Sequence, residues 1–470
     1  VRFEGMLAML LQSLGLVAVY ALSWAAVCHA LLCKRNPRSA FGWAVTSLFL
    51  PILGPLFYVL FGVSRAESRG SRIIRHFSGA YPCGAQIFSE PLPASPVELP
   101  GRRLTPWSLC AGNTLLPLYN GDEAYPAMLK AIEQAKRQVF LATYIFNDGS
   151  VSAAFVEELL AAVARGVDVR VLVDGVGMLY SWHKPLKKLA EHNVPTATFL
   201  PPRLLPPSFG VNLRNHRKLL VCDGVAFTGG MNISDNNLQS CGKNCVQDMH
   251  FQCMGPVVGQ LSHAFLQNWS FASGQDDYLP FESPSPVGHS YCRIVMDGPA
   301  TDTDVLNDLY CGVINAARHT LRIMTPYFLP SHELVSSLRS AAFRSVDVRV
   351  VLPAKNNLPF VHWGMLRLLP TLLDAGVRVW LQPAPFAHTK LLTIDGEYCQ
   401  IGSANLDVRS LRLNFELNME VFDRSLHEQL AAHIDKIIAK SHEITFFELK
   451  AQSLPVRLRN AACWVFSPYL

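Results

Sequence analysis

Two stretches of the chain carry the residue types that phosphate chemistry uses. Asn-His-Arg-Lys-Leu-Leu-Val-Cys-Asp-Gly places His216, Lys218 and Asp223 in the spacing H-x-K-x4-D, and Gly229-Gly230-Met231-Asn232 follows. Ala-His-Thr-Lys-Leu-Leu-Thr-Ile-Asp-Gly repeats the spacing with His388, Lys390 and Asp395, and Gly402-Ser403-Ala404-Asn405 follows. One such motif is a weak signal, because each residue type is common. Two copies 172 residues apart, each followed by a glycine-containing turn and an asparagine, are a strong one.

The spacing has a physical use. His and Lys two residues apart on a strand point to the same face, so both can converge on one phosphate. Lysine brings compact positive charge to the non-bridging oxygens. The turn lets backbone N–H groups and the amides of Asn232 and Asn405 approach the same oxygens. Histidine suits both nucleophilic and general-acid work near neutral pH. Asp223 and Asp395 complete the catalytic motif. Lying five residues beyond the lysines, they point away from them if the strand continues, and are read as pinning each motif's own turn. The first motif has Gly-Gly where the second has Gly-Ser, so a hydroxyl, that of Ser403, is available from one copy only.

The elements around the motifs are also duplicated. Residues 131–146 (Ala-Ile-Glu-Gln-Ala-Lys-Arg-Gln-Val-Phe-Leu-Ala-Thr-Tyr-Ile-Phe) and 312–328 (Gly-Val-Ile-Asn-Ala-Ala-Arg-His-Thr-Leu-Arg-Ile-Met-Thr-Pro-Tyr-Phe) each read as a helix followed by a strand. A second helix and a Val-Asp-Val-Arg-Val strand follow in each copy, at 167–171 and 346–350. Alternating helical and β-branched periods predict an α/β fold with a mixed sheet flanked by helices. A repeat of about 170 residues is too long for a solenoid unit. Two similar halves facing each other, with the site at their interface, are expected instead.

Composition sets the context. Of 470 residues, 50% are hydrophobic and only 16% charged, which excludes disorder, collagen and a coiled coil. The 12 cysteines are too dilute for a disulfide scaffold and are read as reduced thiols. Residues 1–75 hold eight Lys or Arg against two acids, and the rest of the chain 33 against 34. The positive excess therefore sits beside the apolar segments, as for an anionic membrane face, and not on the catalytic region, as for a nucleic-acid binder. Gly5 to Cys33 carries no Lys, Arg, Asp or Glu and is long enough to span a bilayer. A cleaved signal peptide fits less well, since the run is too long and its basic start is weak. A second uncharged run, Ser39 to Ser64, contains Pro51, Gly54 and Pro55. It is either a plain second span or a re-entrant hairpin. The basic stretches 34–38 and 65–75 both favour the cytoplasm, which only the re-entrant form satisfies. The chain divides into an anchor (1–63), a proline-rich linker (64–107), two halves (108–283 and 284–445) and a C-terminal segment (446–470). The last sets Arg457 and Arg459 beside Trp464, Val465 and Phe466, as in an interfacial helix or one packed on the core.

The double motif resembles the phospholipase D superfamily. Asn405-Leu-Asp407-Val-Arg409-Ser410, Leu413-Asn414-Phe415-Glu416, the segments Gly54-Pro55-Leu56-Phe57-Tyr58 and Phe61-Gly62, and Ser467-Pro468-Tyr469-Leu470 resemble bacterial cardiolipin synthases of the ClsA type. The resemblance implies two phospholipase D-like halves behind two N-terminal membrane helices, a bacterial inner-membrane location and a cytoplasmic catalytic region. It favours the straight second span. It implies a phosphatidyl transfer between two phosphatidylglycerols that gives cardiolipin and glycerol through a phosphatidyl-histidine, with no cofactor or metal called for. His216 is expected to attack and His388 to act as general acid. An orienting carboxylate is implied for each histidine: Glu416, downstream of His388, and Asp248, for the first half. Anionic phospholipids and the membrane are the expected partners. A phospholipase D that passes the phosphatidyl group to water is the alternative. A nuclease is disfavoured by the charge distribution, and a relic scaffold by two intact motifs. Cys241, Cys245, His250 and Cys253 superficially suggest zinc, but His250 and Cys253 fall on opposite faces of a strand and are read as structural. His183, His192, His319 and His362 are read as surface or core residues.

Overall fold

Strands covered by helices on both faces read as near-continuous apolar runs, and each Val-Asp-Val-Arg-Val segment leads into one, Val171-Leu172-Val173 and Val350-Val351-Leu352. The computed structural model describes residues 2–34, 37–62, 95–181, 184–201, 213–275, 284–298 and 304–466. Residues 65–75, His183 and residues 467–470, all used in the sequence reading, lie outside the described residues. The chain forms two units, Val1–Ser68 and Arg69–Leu470.

In the larger unit the first half supplies seven strands: β1 (Cys110–Tyr119), β2 (Gln138–Thr143), β3 (Asp168–Asp174), β4 (Thr196–Phe199), β5 (Leu219–Cys222), β6 (Val225–Gly229) and β7 (Met249–Met254). The second half repeats them as β8 (Ser290–Asp297), β9 (Thr320–Met324), β10 (Asp347–Pro353), β11 (Arg378–Gln382), β12 (Leu391–Ile394), β13 (Tyr398–Gly402) and β14 (Glu416–Phe422), with β15 (His442–Glu443) added at the edge. All fifteen join one sheet in the order β15-β11-β10-β9-β12-β13-β14-β8-β1-β7-β6-β5-β2-β3-β4. Read outward from the centre, β1-β7-β6-β5-β2-β3-β4 and β8-β14-β13-β12-β9-β10-β11 are the same order. The halves meet where β1 pairs antiparallel with β8, Cys110 opposite Cys292.

Helices cover both faces. On one face Val257–Ser273 and Arg424–Ile438 share a single core drawn from both halves, including Val258, Leu261, Phe265, Leu430 and Ile434. On the other face each half has its own core. The halves are therefore one body built on one sheet.

The linker and the C-terminal segment both contain helices, the second packed on the core as one of its two readings has it. The linker is not structureless from residue 95 onward: Glu98–Leu104 is a helix, because Val97 buries in the second-half core and Glu98 pairs with buried Arg293 at 3.0 Å. Leu454–Val465 docks on the helix Pro359–Leu373, with the Arg459 guanidinium 4.3 Å from the Trp363 ring centroid, while Leu458, Val465 and Phe466 stay exposed.

In the smaller unit the second apolar run folds back on itself, as in the re-entrant one of the two readings. Leu10–Cys33 is one helix long and apolar enough to cross a bilayer. The next helix, Pro37–Phe49, breaks at Pro51, and the short helix Leu53–Phe57 and a further turn, Tyr58–Gly62, return. Gly54 allows the reversal, since a Cβ there would lie 2.3 Å from the Thr46 carbonyl oxygen. Ser23 Oγ donates to the Pro51 carbonyl at 2.8 Å, Tyr58 Oη meets His29 Nδ1 at 2.7 Å, and Lys34 Nζ donates to the Gly62 carbonyl. Successive contacts at residues 23, 29 and 34 show the second segment turning back to the end it started from. In vesicles, cysteines introduced one at a time for Lys34 and Arg65, with all 12 native cysteines changed to Ser, are expected to react with an impermeant maleimide from the same side. Labelling from opposite sides would show a straight span.

Candidate active site

The site forms where the chain enters β5, β7, β12 and β14. Phe386–Ala387 pairs in parallel with Val246–Gln247, and Asn215 bridges in parallel to Phe415. These contacts join one half to the other. His388 N–H donates to the Gln247 carbonyl at 2.7 Å, and His216 N–H to the Phe415 carbonyl at 2.9 Å. Each histidine is thereby set beside the residue after its partner, which is an acid from the opposite half.

The carboxylate pairing is crossed. His216 Nδ1 lies 3.1 Å from Glu416 Oε2, and His388 Nδ1 lies 2.9 Å from Asp248 Oδ2. The expectation that Glu416 serves His388, its neighbour in sequence, and Asp248 the first-half histidine is corrected. Parallel bridging carries each acid across the boundary between the halves. Asp248 and Glu416 are equivalent by register: Gly229 pairs with His250 and Gly402 with Asn418, each two residues beyond the acid.

Glu416 is fully buried and held by Ser403 Oγ at 2.5 Å, Ser410 Oγ at 2.6 Å and Asn414 Nδ2 at 3.1 Å. Ser403 is therefore not a phosphate ligand: its hydroxyl is spent on the carboxylate. Burial opposes the charge of Glu416, but the facing His216, the Lys218 ammonium and the Ser403 hydroxyl overcome it and bring the carboxyl down to about 2. Burial likewise opposes the charge of Asp248, and Lys390 and His388 outweigh it and lower its carboxyl. Burial lowers both imidazoles, His388 to about 4 with help from the Lys390 charge. Each ring is thus neutral near pH 7. Each carboxylate accepts a hydrogen bond from Nδ1–H, which leaves Nε2 as the unprotonated nitrogen.

The lysines follow their histidines. Lys218 Nζ donates to the His216 carbonyl at 2.6 Å. Lys390 Nζ donates to the His388 carbonyl and sits 2.9 Å from Nδ1 and 3.2 Å from Nε2 of that ring. Burial lowers Lys218 to about 7 and Lys390 to about 8.

Asp223 and Asp395 stand apart from the pocket. The Asp223 carboxylate accepts from the backbone N–H groups of Lys136, Arg137 and Gln138, at 2.8 to 3.1 Å. Asp395 accepts from Arg318, His319 and Thr320, at 2.7 to 2.8 Å. They start β2 and β9 and touch no reacting group, so they pin the motif's turn. Asn232 and Asn405 do line the pocket.

The pocket has a volume of about 870 Å³ and is lined by both histidines. Sequence reasoning missed Tyr144 and Tyr327, whose rings stand 5.3 Å from His216 and 6.1 Å from His388. The repeated Thr143-Tyr144 and Thr325-Pro326-Tyr327 was the signal available. Ser410 and Asn414, both in the quoted motif, were not assigned their hold on Glu416. Of the cysteine cluster, Cys245 lines the pocket while Cys253 is buried on β7, and among the described residues no three His, Cys, Asp or Glu are grouped to hold a metal. His192 is a surface residue bonded to the Lys188 carbonyl.

Residues 128–269 and 310–438 match a family model described as cardiolipin synthase, phospholipase D-like domain, which spans both copies of the crossed site. The chain belongs to this cardiolipin synthase, phospholipase D-like family. Residues 21–62 match the model described as phospholipase D-nuclease N-terminal. A cardiolipin synthase of Geobacillus kaustophilus is 30% identical, over 93% of this chain and 90% of that protein. The major cardiolipin synthase ClsA of Bacillus subtilis is 28% identical, over 93% of this chain and 95% of that protein. The crystal structure of phosphatidylserine synthase from Haemophilus influenzae shares the fold, with a TM-score of 0.63 and 15% identity over 80% of this chain and 100% of that one.

Two predictions follow from the geometry. D223A and D395A each remove an acceptor for three backbone donors and are expected to lower unfolding free energy by about 2 kcal/mol in urea titrations. Turnover per folded molecule should stay close to that of the parent. The second concerns pH. In the empty site Lys218 and Lys390 lose their protons through about pH 7 to 8. kcat/KM, which reports the free enzyme, is therefore expected to fall across that range. A bound phosphodiester anion restores both protons, so kcat at saturating lipid should hold to higher pH.

Proposed function

We propose that this chain condenses two phosphatidylglycerol molecules into cardiolipin and glycerol through a phosphatidyl-histidine. The carrying observation is the pair of imidazoles, each tied at Nδ1 to a carboxylate of the other half, lining one pocket in a chain that aligns along most of its length with cardiolipin synthases.

His216 Nε2 attacks phosphorus. The P–O bond to glycerol breaks, and His388 gives the leaving oxygen a proton. The terminal hydroxyl of the second phosphatidylglycerol then attacks, His388 takes its proton, and the P–N bond breaks. Covalent catalysis divides one difficult step into two. Lys218, Lys390, Asn232 and Asn405 stabilise charge on the phosphoryl oxygens. Two features support His216 as nucleophile. Glu416, its partner, is fixed by three side chains, which holds one tautomer of the ring. Lys390 crowds His388 with positive charge, which makes its imidazolium a stronger acid. Binding of the anionic phosphodiester supplies the negative charge that lets His388 carry a proton.

The helix Leu10–Cys33 anchors the protein in the membrane and the returning segment lies beside it. Basic stretches on both sides of that segment support a catalytic unit on the cytoplasmic side of a bacterial inner membrane.

Purified protein given labelled phosphatidylglycerol is expected to yield cardiolipin and glycerol on thin-layer chromatography. Phosphatidic acid as the main product would overturn the reading in favour of hydrolysis. H216A and H388A should each lower turnover at least about 10³-fold, with the double variant little worse. Under single turnover, acyl-labelled phosphatidyl should map to His216 by mass spectrometry at alkaline pH. Label on His388 would reverse the roles.

A further inference from the structure

The duplication makes the two walls of the pocket comparable residue by residue, and they differ. Two residues before each histidine stand Arg214 and Phe386, and four residues beyond each motif asparagine stand Asn236 and Arg409. All four line the pocket. The chain connects the two arginines: Phe415 N–H donates to the Arg214 carbonyl at 2.7 Å, and Asn414 N–H to the Arg409 carbonyl at 3.2 Å. Both therefore belong to the wall beside Glu416. The opposite wall presents Phe386, Val246 and Asn236 and has no charged side chain among its described residues. The arginine wall also contains Asp407, whose carboxylate accepts from the Ser410 N–H at 2.8 Å, capping a helix turn, and is acted on by the Arg409 charge. Two guanidiniums there face one carboxylate.

The same wall holds unused hydrogen-bonding groups. Among the described residues, Arg214 Nη1 is buried without a hydrogen-bond partner. So are Asn405 Oδ1 and Asn414 Oδ1, on side chains only 5% and 7% exposed. Asn232, the counterpart of Asn405, is satisfied, its Oδ1 accepting from the Ile145 N–H at 3.2 Å, and the counterpart of Asn414 is Val246. Buried polar groups left without partners are costly, and beside a pocket a ligand can supply the missing partner.

A phosphatidyl acceptor that is itself a phosphatidylglycerol brings a second phosphodiester three carbons from the attacking hydroxyl. It also brings a further hydroxyl. We propose that Arg214 and Arg409 form a second phosphate subsite that holds the acceptor lipid's phosphodiester, with Asn405 and Asn414 receiving its glycerol hydroxyl. This subsite rests on the function proposed above and adds the basis of acceptor choice. The arginines act on the second step alone. There the acceptor's terminal oxygen forms the new P–O bond, the P–N bond to His216 breaks, and the proton passes to His388. A neutral alcohol or water has no group for the arginines to hold, so the subsite favours lipid transfer over hydrolysis.

The test uses partition of one covalent intermediate. Full-length protein in mixed micelles with phosphatidylglycerol is supplied with deuterated glycerol as a competing neutral acceptor. Mass spectrometry reads the ratio of cardiolipin to deuterated phosphatidylglycerol, which does not depend on how much enzyme is folded. In R214Q and R409Q this ratio is expected to fall about tenfold or more, the effect of losing one charge-assisted hydrogen bond. R214K and R409K keep the charge but not the fork and should give intermediate ratios. If a glutamine variant yields neither product, the lysine variant at that position decides: a ratio below the parent's supports the subsite, and an equal ratio overturns it. Parental ratios in both glutamine variants overturn the subsite and leave the function standing. A parent protein that makes deuterated phosphatidylglycerol but no cardiolipin overturns the function beneath it.

Discussion

Two short stretches of parallel backbone pairing, Asn215 with Phe415 and Phe386–Ala387 with Val246–Gln247, hold the chemistry of this protein together. Each joins the segment that leads into a histidine of one half to the segment that leads into an acid of the other. Parallel neighbours advance in step, so the next residues, His216 with Glu416 and His388 with Asp248, come side by side. Neither half contains a complete site. The single sheet through β1 and β8, and the core shared by the helices Val257–Ser273 and Arg424–Ile438, keep the halves in the register that this pairing needs.

The unequal glycine turns now have a size argument. Glu416 is one methylene longer than Asp248, and Ser403 Oγ fills the space against its carboxylate at 2.5 Å. In the other half the shorter Asp248 brings its carboxylate back toward the turn. A Cβ on Gly230 would lie 2.5 Å from it. Gly230 with Asp248, and Ser403 with Glu416, are thus two solutions to one packing problem. The serine is a support of the acid and the glycine makes room for one.

Electrostatics follow from the same burial. Two ammonium groups and two carboxylates lie buried around two neutral imidazoles, a balanced set that avoids an uncompensated buried charge. Desolvation draws the lysines down toward neutrality and the carboxylates resist protonation through their partners. An arriving phosphodiester anion favours the protonated lysines, and the groups that meet it are already desolvated by the fold.

The residues that do the chemistry were legible in the sequence because the spacing H-x-K-x4-D is itself a strand pattern: the period of two sets His and Lys on one face whatever surrounds them. The duplication was legible for the same reason, since helix and strand periods are local. That Asp223 and Asp395 point away from the lysines was also local, but their partners, the N–H groups that start β2 and β9, are far off in sequence. The partner of each orienting acid was not legible. Glu416 stands 28 residues from His388 and 200 from His216, and sequence distance favours the wrong one. The choice depends on which edge segments pair between the halves, a long-range contact with no local signature. The return of residues 51–62 toward Lys34 was likewise open, because proline and glycine mark a break without fixing the direction taken after it. Sequence alone determined which groups are present and which face of a strand they share. Only the tertiary structure decided which carboxylate meets which imidazole, because that contact is made by backbone hydrogen bonds between segments far apart in the chain.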